Sequence, residues 1–124
     1  MEHGAAMYES VQVGKPIEVE ELPSLADALG GGIGLDNSFT FDAVRTLVDK
    51  LILVSEKEIS QAIRHAYWED RQIIEGAGAV GISALIARKF TPTGPTVAVV
   101  SGGNIDMQLH HRIISGEDVD VSTE

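Results

Sequence analysis

Apolar residues at helical spacing predict four helices in this chain. The first two carry an apolar stripe that recurs every three or four residues, whereas the third is apolar over most of its surface and is expected to be largely buried. Thr40 can cap the first helix, and Ser55 and Glu58 have the capping-box spacing that marks the start of the second. The predicted helices cover residues 41–50, 56–71, 78–89 and 107–114.

Two short apolar runs predict buried strands at residues 51–54 (Leu-Ile-Leu-Val) and 96–100 (Thr-Val-Ala-Val-Val). Runs without polar alternation are typical of a parallel sheet that helices cover on both faces. Because strands alternate with helices, we expect an α/β fold. Two strands are few for such a sheet, so residues 1–124 are expected to form a single partial domain. Residues 1–23 show no regular pattern, and residues 115–124 are expected to be a frayed acidic tail.

The chain is acidic: 9 Lys and Arg stand against 19 Asp and Glu, a formal net charge of −10. This argues against nucleic acid or an anionic membrane as a partner, because both need clustered cations, but a phosphorylated cofactor can still bind backbone N–H groups. The absence of cysteine excludes disulfides and thiolate sites. Without a long apolar run or a signal-peptide pattern, a cytoplasmic protein is expected.

Two short segments carry candidate chemistry. Residues 101–104 (Ser-Gly-Gly-Asn) directly follow the predicted strand 96–100, and ligands of open α/β sheets bind at the carboxyl ends of strands. A strand-to-helix turn without a ligand is the alternative. Glu75 precedes the small residues 76–79, where a buried acid needs a polar partner. It can instead be a helix-start acid that interacts with free N–H groups.

The glycine cluster and the histidines of the chain do not indicate a nucleotide or metal site. The glycine cluster at residues 30–34 does not follow a strand and fails the dinucleotide fingerprint, so a flexible loop is favoured over a nucleotide site. The four histidines have no metal-ligand spacing with acids or with one another. They are His3, His65, His110 and His111.

Three segments with matching spacing resemble one enzyme family. Residues 24–27 (Ser-Leu-Ala-Asp) resemble its Ser/Thr-aliphatic-Ala-Asp-Gly segment, with Ala28 in place of the glycine. Residues 75–79 (Glu-Gly-Ala-Gly-Ala) resemble its Glu-Pro-Ala-Gly-Ala stretch, and residues 100–106 (Val-Ser-Gly-Gly-Asn-Ile-Asp) resemble its most specific C-terminal motif. The family is the fold-type II pyridoxal-phosphate enzymes, in the threonine dehydratase and serine racemase branch. The resemblance covers about residues 2–108 and implies the C-terminal part of a tryptophan-synthase-β-like domain.

The resemblance implies roles for five residues. Ser101 would hydrogen-bond the pyridine nitrogen of pyridoxal 5'-phosphate, and Gly102 and Gly103 would keep room beside the ring. Glu75 would lie close to the cofactor, and Asp27 would lie in a loop near the ring face. A neutral hydroxyl at the pyridine nitrogen suits elimination of water from a hydroxyamino acid.

Two features of the family are incomplete here. Its cation site has a Glu, a backbone carbonyl four residues later and an Asp two further on; Glu2 and Ala6 match, but Tyr8 occupies the Asp position, which puts divalent-cation binding in doubt. The Schiff-base lysine and glycine-rich phosphate loop of the family lie upstream of the matched region. None of the lysines present matches the family's lysine motif: Lys15, Lys50, Lys57 and Lys89.

The resemblance therefore implies a C-terminal fragment of a hydroxyamino-acid dehydratase that also releases ammonia. The amino-acid sequence of residues 26–37 is most similar to that of dehydratases of hydroxyectoine breakdown. The full-length protein is expected to be a homo-oligomer, and this chain alone is expected to be inactive. The alternatives are a non-catalytic interaction module that completes a partner chain and, third, a nucleotide-binding module.

Overall fold

A computed structural model describes residues 1–121, which form five α-helices and one short 3₁₀ helix. The 3₁₀ helix spans Asp27–Leu29. The α-helices are α1 (Ala6–Val13), α2 (Phe39–Leu47), α3 (Glu56–Trp68), α4 (Gly76–Ile86) and α5 (Met107–Ile114). Residues 122–124, part of the predicted frayed tail, lie outside the described residues.

The four predicted helices are present; the fourth has the predicted ends, and the first three have shifted ends. In α3 the capping box is confirmed: the Ser55 N–H donates to Glu58 Oε2 at 2.7 Å, and the Glu58 N–H donates to Ser55 Oγ at 3.4 Å. In α2 the capping side chain belongs to Asn37 instead of Thr40. Asn37 Oδ1 accepts from the Phe41 N–H at 3.2 Å, and the helix begins two residues before the predicted start.

Helix α1 lies in a region that was expected to be irregular. It ends at Gly14, whose left-handed φ of 85° lets its N–H donate to the carbonyl of Ser10. The Ser10 side chain is fully buried, and its hydroxyl accepts from the Ile17 N–H at 3.0 Å. This bond turns the chain back after the helix.

The core forms where α3 packs between α4 and α5. Ile59 and Ile63 on α3 are fully buried, as is Ile113 on α5. Burial of each isoleucine side chain stabilises the fold by about 1.5–3 kcal/mol. The core therefore holds α3 and α4 together, and the residues before each helix are positioned by that packing.

Residues 1–121 contain no strand, so the predicted parallel sheet is not confirmed. Residues 51–54 and 96–100 have no regular secondary structure. Ala98 lies against Gly81 of α4, but the side chains of Val97 and Val99 are 89% and 74% exposed. A parallel strand needs a neighbouring strand for its hydrogen bonds, and the described residues provide none here.

Residues 115–121 return to α3 instead of fraying as expected. Val119 is only 2% exposed, and its N–H donates to the hydroxyl of Ser60 at 3.3 Å. Arg64 donates to the carbonyls of Ile113 and Glu117, each at 2.8 Å. The acidic segment is thus anchored by a buried valine and a basic side chain of α3.

Candidate functional site

The loop at residues 101–104 is held by Glu75, the residue before α4. The Glu75 N–H donates to the carbonyl of Gly102 at 3.1 Å, and Glu75 Oε2 accepts from the Asn104 N–H at 2.9 Å. Glu75 occupies the N-cap position of α4 but makes no side-chain capping bond to it. Its carboxylate therefore stabilises the loop, not the helix end.

Glycines allow this loop to approach its neighbours closely. A Cβ atom at Gly78 would lie 2.9 Å from the carbonyl oxygen of Gly102, and one at Gly103 would lie 2.9 Å from the carbonyl oxygen of Ile73. A Cβ atom at Gly102 would overlap the carboxylate of Glu75. The backbone contact by itself favours glycine at Gly103, whereas a side chain at Gly102 would displace the Glu75 carboxylate from the loop.

Ser101 presents an available hydroxyl beside α4. Its side chain is exposed, and within residues 1–121 its hydroxyl makes no hydrogen bond. Its backbone nitrogen lies 3.5 Å from the position that a Cβ atom would take at Gly78 in the first turn of α4. A hydroxyl can donate or accept, so Ser101 can bind either kind of polar atom on a ligand.

Sequence reasoning missed Glu56, which positions the segment that carries Asp27. Glu56 is 3% exposed, and its two carboxylate oxygens accept from the Ser24 hydroxyl and from the Leu25 N–H, each at 2.6 Å. The Ser24 hydroxyl also accepts from the Ala26 N–H at 3.0 Å. Glu56 and Leu25 are 31 residues apart, so no local pattern could have paired them.

Asp27 lies on the surface at the start of the 3₁₀ helix. Its carboxylate accepts from the Ala28 N–H at 2.8 Å, and it lines a cavity of about 180 Å³ together with Asn104 and Asp106. Ser101 is not part of that lining. The structure thus brings Asp27 to the far end of the 101–104 loop, on which Ser101 occupies the other end.

Comparison with known proteins identifies the family. The sequence model of the protein family described as "Pyridoxal-phosphate dependent enzyme" matches residues 1–102. The chain belongs to this family. A putative threonine dehydratase of Sinorhizobium fredii is 55% identical over 117 residues, which cover 94% of this chain and 35% of the relative. An L-threonine ammonia-lyase of Thermotoga maritima is 37% identical over 115 residues, or 92% of this chain and 28% of that protein.

Two solved structures share the fold of this pyridoxal-phosphate family member. A threonine deaminase from the organism abbreviated T.th. has a TM-score of 0.74 at 26% identity, and the match covers 85% of this chain and 38% of that one. Maize serine racemase has a TM-score of 0.72 at 26% identity, with 92% of this chain and 36% of its own covered. The chain spans about a third of the length of the relatives it matches.

Family membership confirms pyridoxal phosphate as the expected cofactor, and the 101–104 loop fits the pyridine end of that group. Ser101 has an exposed hydroxyl without a partner in the described residues, and the two residues after it lack side chains that could block a flat ring. A hydroxyl is also compatible with a pyridine nitrogen, which is a hydrogen-bond acceptor when neutral.

Three of the four lysines have polar partners away from the 101–104 loop. Lys57 pairs with Asp118 at 3.3 Å, and Lys50 donates to the carbonyl of Lys89 at 3.4 Å. Lys89 bonds Glu58 at 2.6 Å. Lys15 is exposed just after α1.

The residues that resemble a cation site do not assemble into one. The side chain of Glu2 pairs with Lys89 at 3.5 Å, and Ala6 begins α1, a helix that also includes Tyr8. Over residues 1–121, no group of three or more His, Asp or Glu side chains could hold a metal ion. The Glu2 carboxylate is therefore paired with an ammonium group and not with a second acid at the family's three positions. No helix within that same range is long and apolar enough to span a membrane.

Proposed function

We propose that this chain supplies the pyridine-ring side of the cofactor site in a pyridoxal-phosphate-dependent hydroxyamino-acid dehydratase of the threonine or serine ammonia-lyase type. The observation that carries the proposal is the free Ser101 hydroxyl on a loop that Glu75 holds in place. When bound, the cofactor supplies the electron sink for loss of water and then ammonia. The relatives named threonine dehydratase and L-threonine ammonia-lyase support this reaction class.

In this proposal, the residues of the chain orient the ring. Ser101 binds the pyridine nitrogen with a neutral hydroxyl, which is too weak an acid to protonate it. Glu75 would keep the loop in place close to the ring, through its bonds to the Gly102 carbonyl and the Asn104 N–H. Asp27 would lie near the ring face, at the Asn104 end of the loop, on the segment that Glu56 positions.

The fold proposal is that residues 51–54 and 96–100 are strands of a parallel sheet, with helices on both faces, that other segments of the family domain complete. The exposed Val97 and Val99 support it, because two large apolar side chains on one short segment need a covering layer. Residues 1–124 would then be a partial domain. Slow amide exchange at both valines in a completed domain, and fast exchange in this chain alone, would support this proposal.

The substrate is proposed to be a small hydroxyamino acid such as threonine or serine. More specifically, we propose that the substrate is a compound of hydroxyectoine breakdown. This rests on the amino-acid sequence of residues 26–37. The complete enzyme is proposed to be a cytoplasmic homo-oligomer. The isolated 124-residue chain is proposed to be inactive, because its lysines do not match the family's lysine motif and three of them are paired elsewhere.

A hybrid enzyme tests this function. In the hybrid, residues 1–124 replace the matching segment of the Sinorhizobium fredii relative. We expect it to bind pyridoxal phosphate and to release ammonia from threonine or serine, whereas the isolated chain releases none. A hybrid that folds, as judged by circular dichroism, but binds no cofactor would refute the proposal. Ammonia release by the isolated chain would refute its inactivity.

A second candidate function is an interaction module that completes a separate partner chain without catalysis. The exposed apolar side chains of residues 97 and 99 favour it, because a separate partner chain could bury them as well as another segment of the same chain could. Light scattering on the isolated chain distinguishes the two. A well-folded monomer at high concentration would count against this candidate.

A further inference from the structure

The ammonium group of Lys89 is surrounded by three oxygen atoms from three parts of the chain. It donates to Glu58 Oε2 at 2.6 Å and to the carbonyl of Leu53 at 2.9 Å, and it pairs with Glu2 Oε1 at 3.5 Å. An ammonium group has three N–H donors and no acceptor. Two of these donors make hydrogen bonds, and Glu2 adds a longer ion pair.

The C-terminal end of α4 places Lys89 at this point. The Arg88 N–H donates to the carbonyl of Leu85 at 3.1 Å, and the Lys89 N–H donates to that of Ala84 at 3.0 Å. This pair of bonds is a Schellman motif, in which Arg88 takes the left-handed conformation with φ of 57°. Because the motif reverses the chain direction, Lys89 leaves the helix toward residues 51–54.

The carboxylate of Glu58 is also held by the capping box of α3. The same Glu58 oxygen accepts from the Ser55 N–H at 2.7 Å as part of the capping box of α3. Lys89 thus joins the start of α3, the end of α4, the 51–54 segment and the N-terminal segment that carries Glu2. A single positive charge thus connects three parts of the chain that are distant in sequence: the N-terminal segment, residues 53–58 and the end of α4.

The contacts of the Lys89 cluster favour the ionised forms of Lys89 and Glu58. The hydrogen bond to Glu58 raises the pKa of Lys89 above its usual value, more than burial lowers it. Burial would raise the pKa of Glu58, but the hydrogen bonds from Lys89 and Ser55 outweigh it and the pKa is lowered. Two carboxylates and one ammonium leave a net charge of −1 at the cluster.

We propose that Lys89 is a tethered cation that occupies the place of a divalent ion at Glu2, so that this chain takes no divalent cation there. Two carboxylates and a backbone carbonyl are the oxygen ligands that Ca²⁺ and Mg²⁺ prefer. Here the ammonium uses all three, and a divalent ion would have to displace it or tolerate its repulsion. The proposal does not depend on the catalytic function.

Thermal unfolding with and without divalent cations tests the proposal. The midpoint of the unmodified chain is expected to be the same in a chelator and in millimolar CaCl₂ or MgCl₂, once NaCl matches the ionic strength. Lys89→Met keeps an apolar stem but frees three oxygens, so its midpoint is expected to fall by about 4 °C. Calcium is then expected to restore most of that loss, because it can bind the freed oxygens.

Matched variants separate the tether from general charge effects. Lys57→Met also removes one positive charge near the start of α3, but from an exposed pair with Asp118, so calcium is expected to have no specific effect on it. Adding Glu58→Gln to Lys89→Met is expected to abolish the calcium response.

Two results would overturn the proposal. One is a calcium response of Lys89→Met no larger than that of Lys57→Met. The other is a calcium-stabilised unmodified chain whose response disappears in Glu2→Gln, which would place a divalent ion at Glu2 even if Lys89→Met did not fold.

Discussion

Glu75 and Asn104 are joined by a hydrogen bond of 2.9 Å between the Glu75 carboxylate and the Asn104 backbone N–H, across 29 residues of sequence. The bond connects the start of α4 with the loop that carries Ser101. A carboxylate that binds backbone N–H groups is an orienting group, so the geometry assigns Glu75 a positioning role. The position of Ser101 thus depends on a residue far from it in sequence.

Removal of the Glu75 carboxylate is expected to loosen the 101–104 loop. In Glu75→Ala the Asn104 N–H loses a charged acceptor, and we expect the free energy of unfolding to fall by about 0.5–1.5 kcal/mol, because the bond is exposed and water can replace the acceptor. Glu75→Gln keeps an acceptor oxygen and is expected to lose less than half of that. Urea unfolding followed by circular dichroism measures both. Equal losses in the two variants would contradict a hydrogen-bonding role.

Glycine at position 78 is expected to be required, whereas glycine at position 81 of the same helix is not. In Gly78→Ala the new Cβ would lie 2.9 Å from the Gly102 carbonyl oxygen, so the loop must move. We expect a net loss of about 1–3 kcal/mol, although alanine favours a helix by about 1 kcal/mol. In Gly81→Ala the nearest atom is the Ala98 Cβ at 3.6 Å, an ordinary contact, and the stability is expected to rise or stay equal. The reverse order would show that the loop does not approach Gly78.

The buried carboxylate of Glu56 is expected to be among the most sensitive positions. Glu56→Ala leaves the Ser24 hydroxyl and the Leu25 N–H without an acceptor, and we expect a loss of about 3 kcal/mol or more. Glu69→Ala removes an exposed acid just after α3 and serves as the control, with a change within about 0.5 kcal/mol. Similar losses in both variants would argue against the buried pairings of Glu56.

Stability is expected to fall in mildly acidic solution because of His110. Its side chain is 1% exposed and its Nε2 atom has no hydrogen-bond partner in the described residues. Burial, and secondarily His111, lower the pKa of His110 below its usual value of 6.5. The unfolded chain then binds a proton more readily, so stability falls as the pH decreases below about 6.5.

His110→Phe is expected to flatten that dependence between about pH 7.5 and 5.5, since phenylalanine cannot take up a proton. Urea midpoints at several pH values provide the comparison. An unchanged slope in His110→Phe would assign the acid sensitivity to the carboxylates instead.

Local signals in the sequence predicted the helices well. The capping box at Ser55 and Glu58 marked the start of α3, and the predicted segment 107–114 coincides with α5. Helix α1 was missed, although Gly14 supplied a helix-end signal, because its apolar residues form no clear stripe. The strands were predicted from apolar runs alone, whereas a strand also needs a hydrogen-bonded neighbour, which residues 1–121 do not provide.

The candidate site was predictable only in part. The motif at residues 100–106 indicated Ser101, and the small residues after Glu75 indicated a buried acid with a partner. The partner itself, the Asn104 N–H, and the pairing of Glu56 with Ser24 are long-range contacts that depend on how α3 and α4 pack. A single sequence contains no local record of such contacts.

The contact between Ser101 and the pyridine nitrogen of the cofactor is tested most directly by nitrogen NMR. The hybrid enzyme is loaded with pyridoxal phosphate that is ¹⁵N-labelled in the ring, and its resonance is compared with that of Ser101→Asp and Ser101→Ala. We expect an unprotonated, hydrogen-bonded nitrogen with serine and a protonated one with aspartate, because a carboxylate stabilises the positive charge. The same resonance in all three proteins would contradict the account, because residue 101 would then not touch the ring nitrogen.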